Sequence, residues 1–119
     1  MSSRLTDKRE VPRIEPFVVP CQLVQRVRRR AAYVTDLGAR GARVSVDGPT
    51  PAVGASVTIE LRIGRQAARS RLRGLVKWVR AREGGGHEFG LTWSGLKARE
   101  RHALLTVIEE FRRRAAQIA

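Results

Sequence analysis

The sequence predicts a mainly β fold, a small six-stranded antiparallel barrel with a C-terminal α-helix. Three observations carry this. Short runs between Phe17 and Trp93 alternate apolar and polar residues at period two. The period then changes to three and four in the final stretch. The length, 119 residues, suits one ordinary domain, and several short strands at close spacing in one domain close most readily into a barrel.

The elements follow in order. Residues 1–15 are polar and punctuated by Pro12, and they read as a flexible arm; residues 16–119 read as the barrel with its helix. "PFVVPCQLVQRV" places Phe17, Val19, Cys21 and Leu23 on one face. "AAYVTD" is a second short strand. "GARVSVDG" sets Ala42, Val44 and Val46 against Arg43 and Ser45, and Asp47, Gly48 and Pro49 form a turn. "ASVTIELRI" is the cleanest strand, with Val57, Ile59, Leu61 and Ile63 facing one way and Thr58, Glu60 and Arg62 the other. In "RLRGLVKWVR" the inward set is Leu72, Val76 and Trp78 with Gly74 between them, and Leu75 and Val79 lie opposite. After the loop at Gly84 to Gly86, "HEFGLTW" offers Phe89, Leu91 and Trp93 on one face. The helix starts at Ser94 or a neighbour. It carries Leu104, Val107, Ile108, Phe111, Ala115 and Ile118 on its apolar stripe, with Glu109–Arg113 and Glu110–Arg114 as i,i+4 pairs.

The net charge is +13, and nearly all of the positive charge is arginine; only Lys8, Lys77 and Lys97 are lysine. A hydrophobic fraction of 42% supplies a core, so the chain is not a disordered polycation. Arginine offers a planar fork for phosphates and guanine edges. The composition points to an anionic partner: a nucleotide, a nucleic acid, an acidic protein or an anionic membrane surface. Cys21 is the only cysteine, so no internal disulfide forms, and its apolar setting reads as core. The start "MSSRLTDKRE" has no apolar region of a signal peptide, and no run is long enough to span a bilayer, so a soluble cytoplasmic protein is expected.

Nothing reads as catalytic. His87 falls on a strand and His102 on the charged helix, and neither has a cysteine or carboxylate at metal-ligand spacing. No phosphate-loop or dinucleotide-binding glycine pattern is present. No catalytic residue, metal or cofactor is expected.

Two motifs remain. "REVPR" holds Arg9 and Arg13 at helical spacing in a stretch that proline keeps extended. "TDLGARG" holds Asp36, Gly38 and Gly41 between two strands; taken alone it is a plain hairpin turn. Together, and in that order around a barrel of this size, they resemble the PilZ domain, a bacterial receptor module for cyclic di-GMP. That family carries R-x-x-x-R in an N-terminal arm and [DN]-x-S-x-x-G in a turn. Arg9 and Arg13 match the first motif; Asp36 and Gly41 match the second. The resemblance extends over roughly Arg9 to Phe111. It implies that Arg9, Arg13, Asp36, Gly38 and Gly41, with Lys8 and Arg40 beside them, form the ligand site. The serine of the second motif is Gly38 here. One missing neutral hydrogen bond costs about 0.5–1.5 kcal/mol, a two- to tenfold loss of affinity.

Extended, Arg9 and Arg13 would stand about 13 Å apart. An arm bending at Pro12 would bring both onto one compact ligand with two phosphates and two guanines. "QRVRRRAAY" is a separate basic cluster, either a solvated strand end or an anion-facing rim. Trp78 and Trp93 are expected in the core rather than stacked on bases. The reading is a stand-alone receptor that binds cyclic di-GMP and signals to an unidentified protein partner through a ligand-ordered arm. The alternatives are a nucleotide-free adaptor acting through protein contacts, and a basic barrel with weak nucleic-acid binding.

Overall fold

The computed structural model describes residues 18–61 and 70–118. The predicted arm, with Lys8, Arg9 and Arg13, and Phe17 and Ile63, both predicted to face inward, lie outside the described residues. The described chain forms β1 (Val19–Gln25), β2 (Arg28–Leu37), β3 (Gly41–Val46), β4 (Ser56–Leu61), β5 (Ser70–Ala81), β6 (His87–Trp93) and α1 (Ala98–Ile118). The six strands close into a barrel in the order β1-β2-β3-β6-β5-β4, and every neighbouring pair is antiparallel.

Most of the predicted inward set fills the barrel: Val19, Cys21, Leu23, Val44, Val46, Val57, Ile59, Leu61, Leu72, Val76, Phe89 and Leu91 are buried. Ala32 and Val34 of β2, for which no face was predicted, are buried with them. Alternation explains this: every second side chain of a strand faces the same way, and closing the sheet encloses that face. α1 lies against β5 and adds Leu104, Val107, Ile108 and Phe111 to the same core. Burial of the Cys21 thiol among these side chains pushes its pKa up to about 12, which suits a packing residue and not a nucleophile.

The helix begins at Ala98, later than the predicted Ser94. The Ser94 N–H still donates to the Arg73 carbonyl (2.9 Å), so it continues the ladder. The helix is started by Glu100, whose carboxylate accepts from the Lys97 N–H (2.7 Å) in the manner of a capping box. Farther along, Arg113 turns to Glu110 rather than to the predicted Glu109, and Arg114 joins it (2.6 Å). Hydrogen bonds from Arg114 and then Arg113 hold the Glu110 carboxyl below the usual range.

Two ladders are irregular. In β2 the register shifts between Val34 and Asp36, leaving Thr35 as an extra residue. In β5 it shifts between Val76 and Trp78, leaving Lys77 as an extra residue. Each bulge reverses the alternation beyond it. Trp78 therefore turns out of the barrel, against the sequence expectation, and is 38% exposed. Asp36 likewise turns outward, and Leu37 takes the buried position.

Candidate functional site

The turn between β2 and β3 carries Asp36, Gly38, Arg40 and Gly41, so four of the seven predicted site residues meet in one short segment. Gly41 pairs with Thr92 on β6, and the backbones run so close that a Cβ on Gly41 would stand 1.9 Å from the Leu91 carbonyl oxygen. Only glycine allows that approach. Gly38 donates its N–H to the Gly41 carbonyl (2.9 Å) and closes the turn.

Trp93 then fixes the turn from β6. Its indole N–H donates to the Gly38 carbonyl (2.9 Å), and its backbone N–H donates to the Arg40 carbonyl (2.8 Å). Trp93 is half-buried against the core, as predicted, but its polar edge was not foreseen; a buried indole needs an acceptor, and here the turn supplies it. Both backbone polar groups of Gly38 are engaged in this frame. Gly38 is not in the left-handed region, and a Cβ there would meet nothing nearer than 4.0 Å.

Register aligns Asp36, Arg43, Gly90 and Trp78 across four strands on the outer wall. The bulge residues Thr35 and Lys77 flank this row. Asp36 is exposed; its Oδ1 accepts from the Leu37 N–H (3.0 Å), and its Oδ2 stands 3.6 Å from Arg43. Trp78 lies flat over Gly90, where a Cβ would fall 2.2 Å from the indole nitrogen. Arg80 sits over the Trp78 ring at 5.2 Å and pairs with Glu88 (2.5 Å).

These residues line a depression of about 410 Å³ that includes Asp36, Gly38, Arg40, Arg43, Lys77 and Trp78. A second depression of about 600 Å³, lined by Tyr33, Thr35, Ser45 and Glu88, shares Arg43 with it. The wall thus presents an exposed indole, several cations and the exposed carboxylate of Asp36, with Asp47 at the second depression, a set able to hold a flat, anionic, hydrogen-bonding ligand. Arg43, Lys77 and Trp78 were not among the predicted site residues. The one available signal was Gly90 inside a strand, since an interior glycine often marks a bulge or a close approach.

The basic cluster after β1 divides. Arg29 pairs with Glu60 (2.6 Å), and Arg30 donates to the carbonyls of Pro49 (2.5 Å) and Asp47 (3.0 Å). His87 joins the same turn through Nδ1 and the Gly48 carbonyl (2.8 Å). Two of the three consecutive arginines are therefore structural. Among the described residues no three metal-ligating side chains cluster, and no helix is long and apolar enough to cross a membrane.

No curated protein is significantly similar to the chain. Several solved structures share the fold, among them the following three. The inhibitor of motility MotI/DgrA of Bacillus subtilis aligns at 19% identity and a TM-score of 0.66. That alignment covers 90% of this chain but only 53% of the Bacillus protein. The PilZ domain of YcgR from Escherichia coli, with c-di-GMP, aligns at 16% identity and a TM-score of 0.71, covering 92% of this chain and 95% of that one. The PilZ domain of CeSA from a cellulose-synthesizing bacterium aligns at 14% identity and a TM-score of 0.61, covering 82% and 95%. The family model for the PilZ domain matches residues 7–110, a span that takes in both motifs, the barrel and most of the helix. The chain belongs to the PilZ domain family.

Proposed function

We propose that this domain is a cyclic di-GMP receptor whose ligand lies on the outer row of Asp36, Arg43, Gly90 and Trp78. Arg9 and Arg13 of the arm close over it, with Lys8 adding positive charge. A guanine stacks on Trp78, and the phosphates are met by Arg40, Lys77 and the arm. Gly38 and Gly41 shape the turn, and Asp36 accepts hydrogen bonds from a guanine edge. The observation that carries the reading is the pair of bulges, which bring Asp36 and Trp78 onto one face beside the framed turn. The family and the c-di-GMP complex of the YcgR domain support it. The occupied arm presents a new surface to a protein partner in the cytoplasm, and the likeness to an inhibitor of motility supports an output of that kind.

The test is calorimetric titration with cyclic di-GMP at physiological salt, for the parent and for Arg9→Ala and Arg13→Ala, with melting curves for each. Each variant should lose a charge-assisted contact of about 1.5–3 kcal/mol, roughly ten- to a hundredfold in affinity, with the fold intact. Parent-like binding by both would remove the clamp. No binding by the parent would leave the nucleotide-free adaptor, the reading that the missing hydroxyl at Gly38 favours.

A further inference from the structure

We propose that the outer face of β1, β4 and the first half of β5 is a docking groove for an extended acidic segment of a partner protein. The groove measures about 520 Å³ and is lined by Val24, Arg26, Ser56, Thr58, Arg71 and Arg73 among others, with no acid among the described residues of its lining. The outward positions of these strands hold a single acid, Glu60. It is buried beneath its neighbours and already engaged by Arg29 (2.6 Å) and Arg71 (2.9 Å). Among the described residues, the side chains of Arg26 and Arg73 make no ion pair. Among the described residues, Arg26 and Arg73 are thus cations of this face that no carboxylate answers.

The spacing selects the occupant. Arg71, Arg73 and Leu75 point outward along β5 at two-residue intervals, about 6.7 Å apart, which is the repeat of alternate side chains in an extended peptide. A segment reading acidic, any, acidic, any, apolar would lay its carboxylates on the arginines and its apolar side chain near Leu75, which is 38% exposed. The barrel is closed, so no free strand edge is available for pairing, and the contact must be made by side chains. Val27, 95% exposed beside Arg26, adds an apolar anchor at the hairpin tip. Arginine beside apolar side chains is the composition of a protein interface. A nucleic acid would want aromatic platforms, and Trp78 and Tyr33 are not in the lining of this groove.

Arg26 supplies a second, independent observation. It has φ 57 at the first position of the two-residue turn between β1 and β2, where glycine is favoured. An arginine here takes a conformation better suited to glycine and places its cation at the edge of the groove.

The experiment is fluorescence anisotropy with a labelled peptide of alternating glutamate and valine, in the absence of nucleotide. Success or failure of cyclic di-GMP binding therefore does not enter. The parent should bind the peptide, and Arg26→Gly combined with Arg73→Gln should weaken it by about tenfold or more. Arg26→Gly alone should melt no lower than the parent, because glycine relieves the turn, yet still lose several-fold in affinity. Removing the same charge from the exposed face of α1, by Arg99→Gln with Arg101→Gln, should leave peptide affinity within about twofold. Equal losses in the helix variant, or no peptide binding by the parent, would overturn the proposal. So would tighter binding of an oligothymidine with the same dependence on Arg26 and Arg73.

Discussion

The two sides of the barrel wall are built by different rules. Where β1 pairs with β2 and β4, and β4 with β5, the ladders run without interruption. There the alternation of apolar residues assigns the inner face correctly, as at Val19, Cys21 and Leu23 and at Val57, Ile59 and Leu61. Where β2 pairs with β3 and β5 with β6, each ladder carries one extra residue, and beyond it the faces exchange. The regular side makes a predictable core and leaves arginines outside. The bulged side spends regularity to aim Asp36 and Trp78 outward on one row with two glycine seats, Gly41 and Gly90, beneath close neighbours. The interior of this barrel is filled by side chains, which leaves the outer wall for a binding surface, and a bulge is a one-residue means of re-aiming a side chain that alternation would bury.

The largest effect should come from breaking the closest approach on the bulged side. Gly41→Ala forces a Cβ into the Leu91 carbonyl. That should cost about 3 kcal/mol, toward the upper end for overpacking, and lower the melting temperature by roughly 10 °C. Differential scanning calorimetry is the check, and an unchanged melting curve would mean that β3 and β6 separate easily at this point. Cyclic di-GMP affinity should fall with it, since the turn hangs from the same pairing.

Trp78→Ala should separate the two sides. The ring is partly exposed and rests on the wall rather than in the core, so the fold should survive with a cost of about 1 kcal/mol for the lost contact with Arg80. Loss of a stacking platform should weaken cyclic di-GMP by about 1–3 kcal/mol, roughly five- to a hundredfold, and Trp78→Phe should recover most of it. Binding of the glutamate–valine peptide should be unaffected. A large drop in stability with no change in affinity would return Trp78 to the structural role that simple alternation assigns it.

The smallest effect sharpens the contrast between two glycines of one turn. Gly38→Ser meets no atom nearer than 4.0 Å from its Cβ and requires no left-handed backbone. The melting temperature should stay within a degree or two. Restoring the hydroxyl of the family motif should tighten cyclic di-GMP by up to about tenfold in the same titration. A clear fall in stability would show that the turn relaxes differently from its position here.

The element types, their order and most of the core were legible in the sequence, because period two and period three-to-four patterns are local and each residue carries its share of the signal. The turn that holds Asp36, Gly38, Arg40 and Gly41 was legible too, through its glycines and its match to the family motif. Arg9 and Arg13 were named from the same motif, although they fall outside the described residues. Glu60 was placed outward correctly, but its burial under Arg29 and Arg71 was invisible, since those partners are distant in sequence. Trp78 was assigned to the core because nothing within "RLRGLVKWVR" shows that Lys77 is an extra residue. A bulge is defined by two residues opposing one on a neighbouring strand, so it exists only once β5 is set against β6. The same holds for the Trp93 indole and the Gly38 carbonyl, 55 positions apart. Local periodicity determined which residues could face inward; pairing between distant strands decided which of them turn outward onto the candidate site.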